Sequence, residues 1–193
     1  MYVSQAEQGS FYACLLASII CISFFISPAL ADGGVFSVPG LESKSPSYAS
    51  QQPWAQVKFT DIAGEEISLL ELSKQGPVVL HLFTIWCKAC SRQLTESTHL
   101  LEEQNEAITI VYLDIDPNEN EADIAAHVSK NGYKGIFAVA PADFTLSLAD
   151  QFGSTITTSI PQTVVIDDQS AKYVGAGVVS KDKIMKTLTP SDN

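Results

Sequence analysis

The chain has 193 residues, of which 46% are hydrophobic, so it is long enough for one well-buried domain with additional segments. Its formal net charge of −11 at pH 7 argues against a nucleic acid or an anionic membrane surface as a partner. The acidic residues are spread along the chain, and one of their densest runs lies between Asp114 and Asp123. This distribution is typical of solvated helix faces.

An apolar stretch at residues 11–26 is the first segment that stands out. Ala29 and Ala31 follow it and form an A-x-A-like cleavage site, although residues 1–10 lack the Lys or Arg that normally open a signal peptide. A single uncleaved membrane anchor is the alternative. We therefore predict that residues 1–31 are a signal peptide or membrane anchor. Either role places the rest of the chain outside the cytoplasm, in the periplasm or on the outer face of the cytoplasmic membrane.

Residues 32–53 are rich in Gly, Ser, Pro and Gln and have no hydrophobic periodicity, so they predict a flexible linker. From Trp54 the composition changes, and we predict one domain over residues 54–190. Two short strands within it, at 56–60 and 66–69, flank a turn that contains Asp and Gly. They predict a hairpin ahead of the main fold.

The central motif is an apolar, β-branched run at residues 78–85 that leads directly into Trp-Cys-Lys-Ala-Cys at residues 86–90. Residues 91–105 then have helical composition without Pro or Gly. Cysteines three apart in the first turn of a helix lie on one face, close enough for a disulfide. Unpaired N–H groups at that helix end stabilise the thiolate of Cys87, and the adjacent Lys88 favours it further. The motif therefore predicts a redox-active dithiol.

Apolar segments of strand length alternate with helical segments in the rest of the chain. We predict strands at 107–114, 135–139, 162–166 and 172–179, and helices at 120–130, 144–152 and 181–188. This alternation predicts an α/β fold in which helices cover both faces of a central sheet. The late strand–turn–strand predicts an antiparallel hairpin within that sheet.

Two motifs carry a resemblance to a known family: Trp-Cys-Lys-Ala-Cys after an apolar strand, and Ser-Ile-Pro-Gln-Thr at residues 159–163. They resemble thioredoxin-fold proteins, and over residues 54–188 the chain is similar to the TlpA-like and DsbE-like extracytoplasmic thiol–disulfide oxidoreductases. The resemblance implies a thioredoxin-like fold: a mixed central sheet with helices on both faces, an N-terminal β-hairpin extension and an inserted helix. It also implies a cis bond between Ile160 and Pro161, with Pro161 against the disulfide.

The chemistry that the resemblance implies is exchange through a mixed disulfide. Cys87 is expected to be the exposed nucleophile, and Cys90 is expected to resolve the intermediate from a buried position one turn on. Trp86 is expected to pack beside Cys87 and shield it. The redox group is then the Cys87–Cys90 disulfide itself, and we expect no cofactor and no metal.

The chain departs from the family pattern at three places. His81 stands six residues before Cys87, where thioredoxins carry a buried Asp; it either relays a proton to or from Cys90 or is a hydrogen-bonded core histidine. Gln93 stands where many TlpA-like reductants have a Glu, and it cannot act as a base. With Lys88 and Ala89 between the cysteines, we expect a reduction potential between about −270 and −120 mV, the span from thioredoxin to DsbA.

These features predict an extracytoplasmic thiol–disulfide oxidoreductase that acts on cysteine-containing client proteins. The resemblance favours a reductant, in cytochrome c maturation or for another client, with re-reduction by a membrane electron donor of the DsbD/CcdA type. A peroxiredoxin-like peroxidase is an alternative, because residues 84–87 contain Thr-x-x-Cys, although Leu80 stands where a Pro is expected. A metal-binding or copper-delivery module using Cys87, Cys90 and a histidine is another.

Overall fold

The computed structural model of the protein describes residues 51–104, 107–167 and 170–188. The predicted signal peptide or anchor, and the predicted linker as far as residue 50, lie outside these residues. Among the helices that are described, none has the length and apolar character needed to cross a bilayer.

Short strands and helices alternate along the described chain. The strands are β1 (Phe59–Thr60), β2 (Glu66–Ile67), β3 (Val78–Phe83), β4 (Thr109–Asp114), β5 (Ile136–Val139), β6 (Gln162–Ile166) and β7 (Ala171–Ala176). The helices are α1 (Pro53–Gln56), α2 (Leu69–Ser73), α3 (Lys88–Gln104), α4 (Glu121–Asn131), α5 (Ala142–Phe152), α6 (Thr155–Thr158) and α7 (Lys181–Leu188).

Five strands form one mixed sheet in the order β5-β4-β3-β6-β7. Strands β3, β4 and β5 run parallel, whereas β6 runs antiparallel to both β3 and β7. All six residues of the central strand β3 are buried, which is why its sequence is a continuous apolar run apart from His81. The predicted α/β fold with a mixed sheet and a late antiparallel hairpin is confirmed.

The sheet has a hydrophobic cluster on each face, because successive side chains of a strand point to opposite sides. Leu80 and Leu82 of β3 belong to one cluster, together with Trp54. Phe83 belongs to the other, which also contains Cys87 and Cys90. The dithiol therefore lies on the face of the sheet that packs against α3.

The predicted hairpin extension is confirmed, with β1 antiparallel to β2 and Phe59 opposite Ile67. It also covers the edge of the main sheet, because Ile62 donates its N–H to the Phe137 carbonyl of β5 at 2.8 Å. Its strands are shorter than predicted. Pro53, placed in the linker by the sequence, instead opens α1, and residues 69–73 form α2 rather than the end of a strand.

The inserted helix α4 is confirmed at nearly its predicted bounds because both of its ends are capped. Asn120 and Asp123 form a capping box at its start. Gly132 ends it with a φ of 68°, a conformation that glycine adopts without steric cost. Helix α3 begins at Lys88, so the second cysteine lies within its first turn, as predicted, and Cys87 directly precedes the helix.

Candidate functional site

The two cysteines occupy the junction between β3 and α3. Cys87 is the residue before α3, and Cys90 is the third residue of that helix. Both are free thiols in the structure. The sulfur of Cys87 accepts the backbone N–H of Cys90 at 3.2 Å, so one of the unpaired N–H groups of the first helical turn points at it. A donor in this position stabilises negative charge on the Cys87 sulfur.

The two sulfurs have different environments. Cys87 is 8% exposed and Cys90 is completely buried, so the expectation that Cys87 is an exposed nucleophile is wrong: Cys87 is largely buried as well. Burial raises the pKa of the Cys90 thiol well above its usual range, and the hydrogen bond with Cys87 raises it further. Cys90 is therefore held as a neutral thiol, and Cys87 is the one of the two cysteines that keeps some exposure to solvent.

The loop before β6 lies directly beside Cys87. Its Ile160–Pro161 peptide bond is cis, as the family resemblance implies. The Ile160 carbonyl oxygen is 4.0 Å from the Cys87 sulfur. The loop is fixed on both sides, because the Pro161 carbonyl accepts the N–H of Gly177 at 2.8 Å and the Gln162 side chain donates to the Ser159 carbonyl. A sulfur at a helix start and a backbone segment beside it thus form one site.

Comparison with protein families assigns the part of the chain that carries this site. Residues 50–171 match the model described as the AhpC/TSA family. The chain belongs to the AhpC/TSA family. Among curated proteins, none matches this sequence.

Solved structures share the thioredoxin-like fold of this AhpC/TSA family member. A DsbF homologue from Corynebacterium diphtheriae is 20% identical, with a TM-score of 0.57 over 78% of this chain and 94% of that one. A secreted thiol-disulfide isomerase from Corynebacterium glutamicum is 19% identical, with a TM-score of 0.58 over 69% and 81%. A thioredoxin-family thiol:disulfide interchange protein from Chlorobium tepidum is 17% identical, with a TM-score of 0.56 over 68% and 92%. These structures confirm the thioredoxin-like fold that the resemblance implies.

Trp86 lies at the surface of this AhpC/TSA site. Trp86 is 66% exposed, which does not agree with the expectation that it packs beside Cys87 and shields its sulfur. The indole N–H donates to a carboxylate oxygen of Asp116 at 2.7 Å, which fixes its orientation. Lys88 is exposed as well and is the first residue of α3. The residues on either side of Cys87 in the chain are therefore both exposed.

His81 is completely buried in the middle of β3. Its Nδ1 is 3.0 Å from the hydroxyl of Thr163, and its Nε2 is 2.9 Å from the hydroxyl of Ser97. Burial lowers the pKa of the imidazole to about 3. Of the two roles considered for this histidine, the hydrogen bonds favour a neutral core residue that joins α3 to β6.

Gln93 joins α3 to the segment before α7. Its side-chain NH₂ donates to the hydroxyl of Ser97 at 3.1 Å and to the carbonyl of Val179 at 3.2 Å, and its oxygen accepts the Val179 N–H at 2.6 Å. An amide supplies both donor and acceptor here, which a carboxylate at this position cannot. The glutamine is therefore a structural tie between the cysteine helix and the segment that follows Gly177.

Three carboxyl groups, one at the end of β4 and two in the loop after it, approach the site. Sequence reasoning missed them by assigning the whole acidic run to solvated faces. Asp116 accepts from Trp86, and Glu119 accepts the N–H of Ile85, two residues before Cys87, at 2.9 Å. Asp114 is completely buried. The available signal was its position: an Asp at the end of an apolar strand, two residues after Tyr112, points to the same face as that buried tyrosine.

Proposed function

We propose that the chain is an extracytoplasmic thiol–disulfide oxidoreductase whose Cys87–Cys90 dithiol reduces disulfides in client proteins. The contrast between the two sulfurs is the observation that supports this most. Cys87 keeps 8% of its surface exposed and its sulfur receives an N–H from the start of α3 at 3.2 Å, whereas Cys90 is completely buried with a raised pKa. One sulfur is thereby suited to attack from solution and the other to act only on its neighbour.

The proposed reaction transfers two electrons from the protein to the client. The Cys87 thiolate attacks one sulfur of the client disulfide, and the other client sulfur leaves as a thiolate that takes up a proton. The Cys90 sulfur, after losing its proton, then attacks the Cys87 sulfur of this mixed disulfide. The bond between Cys87 and the client breaks, the second client sulfur leaves as a thiolate, and the protein is left with a Cys87–Cys90 disulfide.

The surface around Cys87 suits a protein client rather than a small polar molecule. Trp86 precedes Cys87 in the chain and is 66% exposed, and Val178, which is 41% exposed, follows the Gly177 that donates to the Pro161 carbonyl. The carbonyl of Ile160 lies 4.0 Å from the sulfur, so an extended client segment that presents a cysteine to Cys87 runs along this backbone. Clients with an exposed disulfide in a flexible, partly apolar segment are the class that this surface fits.

The proposal includes the direction of electron transfer, from this protein to its client, and the location of the protein outside the cytoplasm. A homologue of DsbE from Mycobacterium tuberculosis is described as secreted, as is the isomerase from Corynebacterium glutamicum, and the apolar residues 11–26 fit export or anchoring. We propose a reductant of a cytochrome c maturation-like or other client, re-reduced by a membrane donor of the DsbD/CcdA type. Redox equilibration against glutathione tests the direction, with a potential near the thioredoxin end, about −270 mV, expected for a reductant.

Trapping of mixed disulfides tests the function directly. Cys90→Ala removes the resolving sulfur, so client proteins are expected to accumulate on Cys87 and to be released by dithiothreitol. Cys87→Ala is the matched control and is expected to trap nothing. Reduction of insulin disulfides by the wild type is a second measurement. The proposal would be contradicted if the wild type did not reduce insulin and Cys90→Ala trapped no clients.

The two alternatives predict different results with the same preparations. A peroxidase consumes peroxide through Cys87, and its Cys90→Ala variant is not expected to accumulate clients as mixed disulfides. A metal module binds copper(I) or zinc in its reduced form. Within the described residues, no group of three or more His, Cys, Asp or Glu side chains has the arrangement of a metal site.

A further inference from the structure

Asp114 lies on the same face of the sheet as the dithiol. Side chains alternate along β4, and Ile110 and Tyr112 belong to the cluster that contains both cysteines. Asp114 is the next residue with this orientation, and it lies opposite Phe83 of β3, four residues before Cys87. The strand therefore places a completely buried carboxyl group on the face of the sheet that carries both cysteines.

The carboxyl of Asp114 is only partly hydrogen-bonded. One oxygen accepts the N–H of Asp116 at 2.8 Å, whereas the other has no hydrogen-bond partner in the described part of the chain and is shielded from solvent. A buried carboxylate oxygen without a donor is costly, and a proton on it removes the cost. Glu119 is the neighbour that can share such a proton, and its own oxygen is held by the N–H of Ile85 at 2.9 Å.

The groups around Asp114 shift its pKa, and Asp114 in turn affects the pKa of Cys90. Burial, followed by the interaction with Glu119, raises the pKa of Asp114 to about 8. The negative charge of Asp114 is in turn one of the causes that raise the pKa of Cys90. The other groups that bear on the pair from the packed elements are Asp116 from the same loop, Cys87 before α3, and His127 of α4, which faces Glu119. Strand β5 contributes the N–H of Ala140, which donates to the Asp114 carbonyl at 2.8 Å.

We propose that Asp114, sharing a proton with Glu119, is the base that removes the proton from Cys90 when Cys90 resolves the mixed disulfide. This inference rests on the proposed function and assigns its second step. The Cys90 S–H proton passes to the Asp114 carboxylate, the freed electron pair forms the bond to the Cys87 sulfur, and the client sulfur leaves with the electrons of the broken bond. When the dithiol is regenerated, the same carboxyl returns the proton. His81 is less suited, because Thr163 and Ser97 engage both of its nitrogens.

Reaction of the reduced full-length protein with DTNB, a small aromatic disulfide, separates the two steps. Attack by Cys87 releases the first thionitrobenzoate at a rate proportional to DTNB. Attack by Cys90 releases the second at a rate independent of it. In the wild type, the second rate is expected to rise with pH and to level off above about pH 8, where Asp114 is ionised.

Asp114→Asn is expected to slow the second release by about 10- to 100-fold near neutral pH and to remove its inflection, while the first release changes little. Asp150→Asn, the same chemical change at an exposed position of helix α5, is the matched control and is expected to behave as the wild type. If Asp114 acted only as a fixed negative charge, its removal would make the Cys90 thiolate easier to form and would speed the second release. A faster or unchanged second release in Asp114→Asn overturns the inference.

Glu119→Gln provides a second test that does not depend on Asp114→Asn folding correctly. The new amide can donate to the unpartnered oxygen of Asp114 and still accept from Ile85, so the Asp114 carboxylate forms more easily. The inflection of the second release is expected to move to lower pH by about one unit or more, and an unmoved inflection overturns the inference. A wild-type protein that releases only one thionitrobenzoate contradicts the proposed function itself, which separates the two failures.

Discussion

Replacing Gln93 with Glu tests whether this amide ties the cysteine helix to the segment before α7. In the wild type the amide donates to the Val179 carbonyl and the Ser97 hydroxyl and accepts the Val179 N–H, all within 3.2 Å. A carboxylate at this fully buried position loses both donated bonds and faces the Val179 carbonyl with like polarity. Two buried hydrogen bonds at about 1–1.5 kcal/mol each, together with part of the cost of a buried charge, give an expected loss of about 3–5 kcal/mol of unfolding free energy near neutral pH.

The loss in Gln93→Glu has a defined pH dependence. Burial holds the pKa of the introduced carboxyl above the value of about 4.3 that it has in the unfolded chain. The folded state then binds the proton more tightly, so the loss is smallest in acid and grows as the pH rises. Urea unfolding measures the loss of unfolding free energy at about pH 5 and at about pH 8. Gln93→Leu is the control, because its loss is expected to be the same at both pH values. A variant within about 1 kcal/mol of wild type at about pH 8, or with equal losses at both pH values, would refute the reasoning.

Three further predictions concern other parts of the site. His81→Asn is expected to leave the pH profile of exchange unchanged and to remove a loss of unfolding free energy in acid. The wild-type pKa of about 3 means that the neutral ring stabilises the fold above about pH 6.5 and that this stabilisation is lost as the pH falls toward 3. Urea unfolding at several pH values measures the loss. Gly135→Ala is expected to cost about 2–4 kcal/mol in thermal unfolding, because its Cβ would lie 2.6 Å from Cε2 of Tyr112 at a φ of +131°. Trp86→Ala is expected to raise KM for a protein client and leave Tm nearly unchanged, since the indole is 66% exposed; Asp116→Asn should raise KM less.

The elements with strong periodicity or caps were predictable from the sequence. The buried run of β3, the capped helix α4 and the antiparallel pair β6–β7 lie close to where the residue pattern places them. The helices α1, α2 and α6 were not predicted, because four or five residues are too few to show a helical period. Their existence depends on tertiary contacts, such as the complete burial of Trp54 against helix α5.

Some residues of the site were likewise predictable from the sequence and others were not. Cys87, Cys90 and the Ile160–Pro161 bond were located by local motifs, since each motif is continuous in the chain. Pairings between distant residues have no such signal: Gln93 meets Val179 across 86 positions, and no spacing rule connects them. Asp114 was hidden for a different reason, because the sequence shows it as the first member of an acidic run, whereas the structure buries it and leaves the neighbouring Asp116 near the surface.

The placement of the two tryptophans gives the protein an optical reporter of its own chemistry. The chain contains only these two, and Trp54 is fully buried, with its indole N–H bonded to Gln151 at 2.9 Å. Trp86 is largely in solvent and next to Cys87 in the chain, so its emission is expected at longer wavelength and is open to quenching by the adjacent sulfur. Fluorescence of the unlabelled protein can therefore follow disulfide formation and client docking through one residue while the other serves as an internal reference.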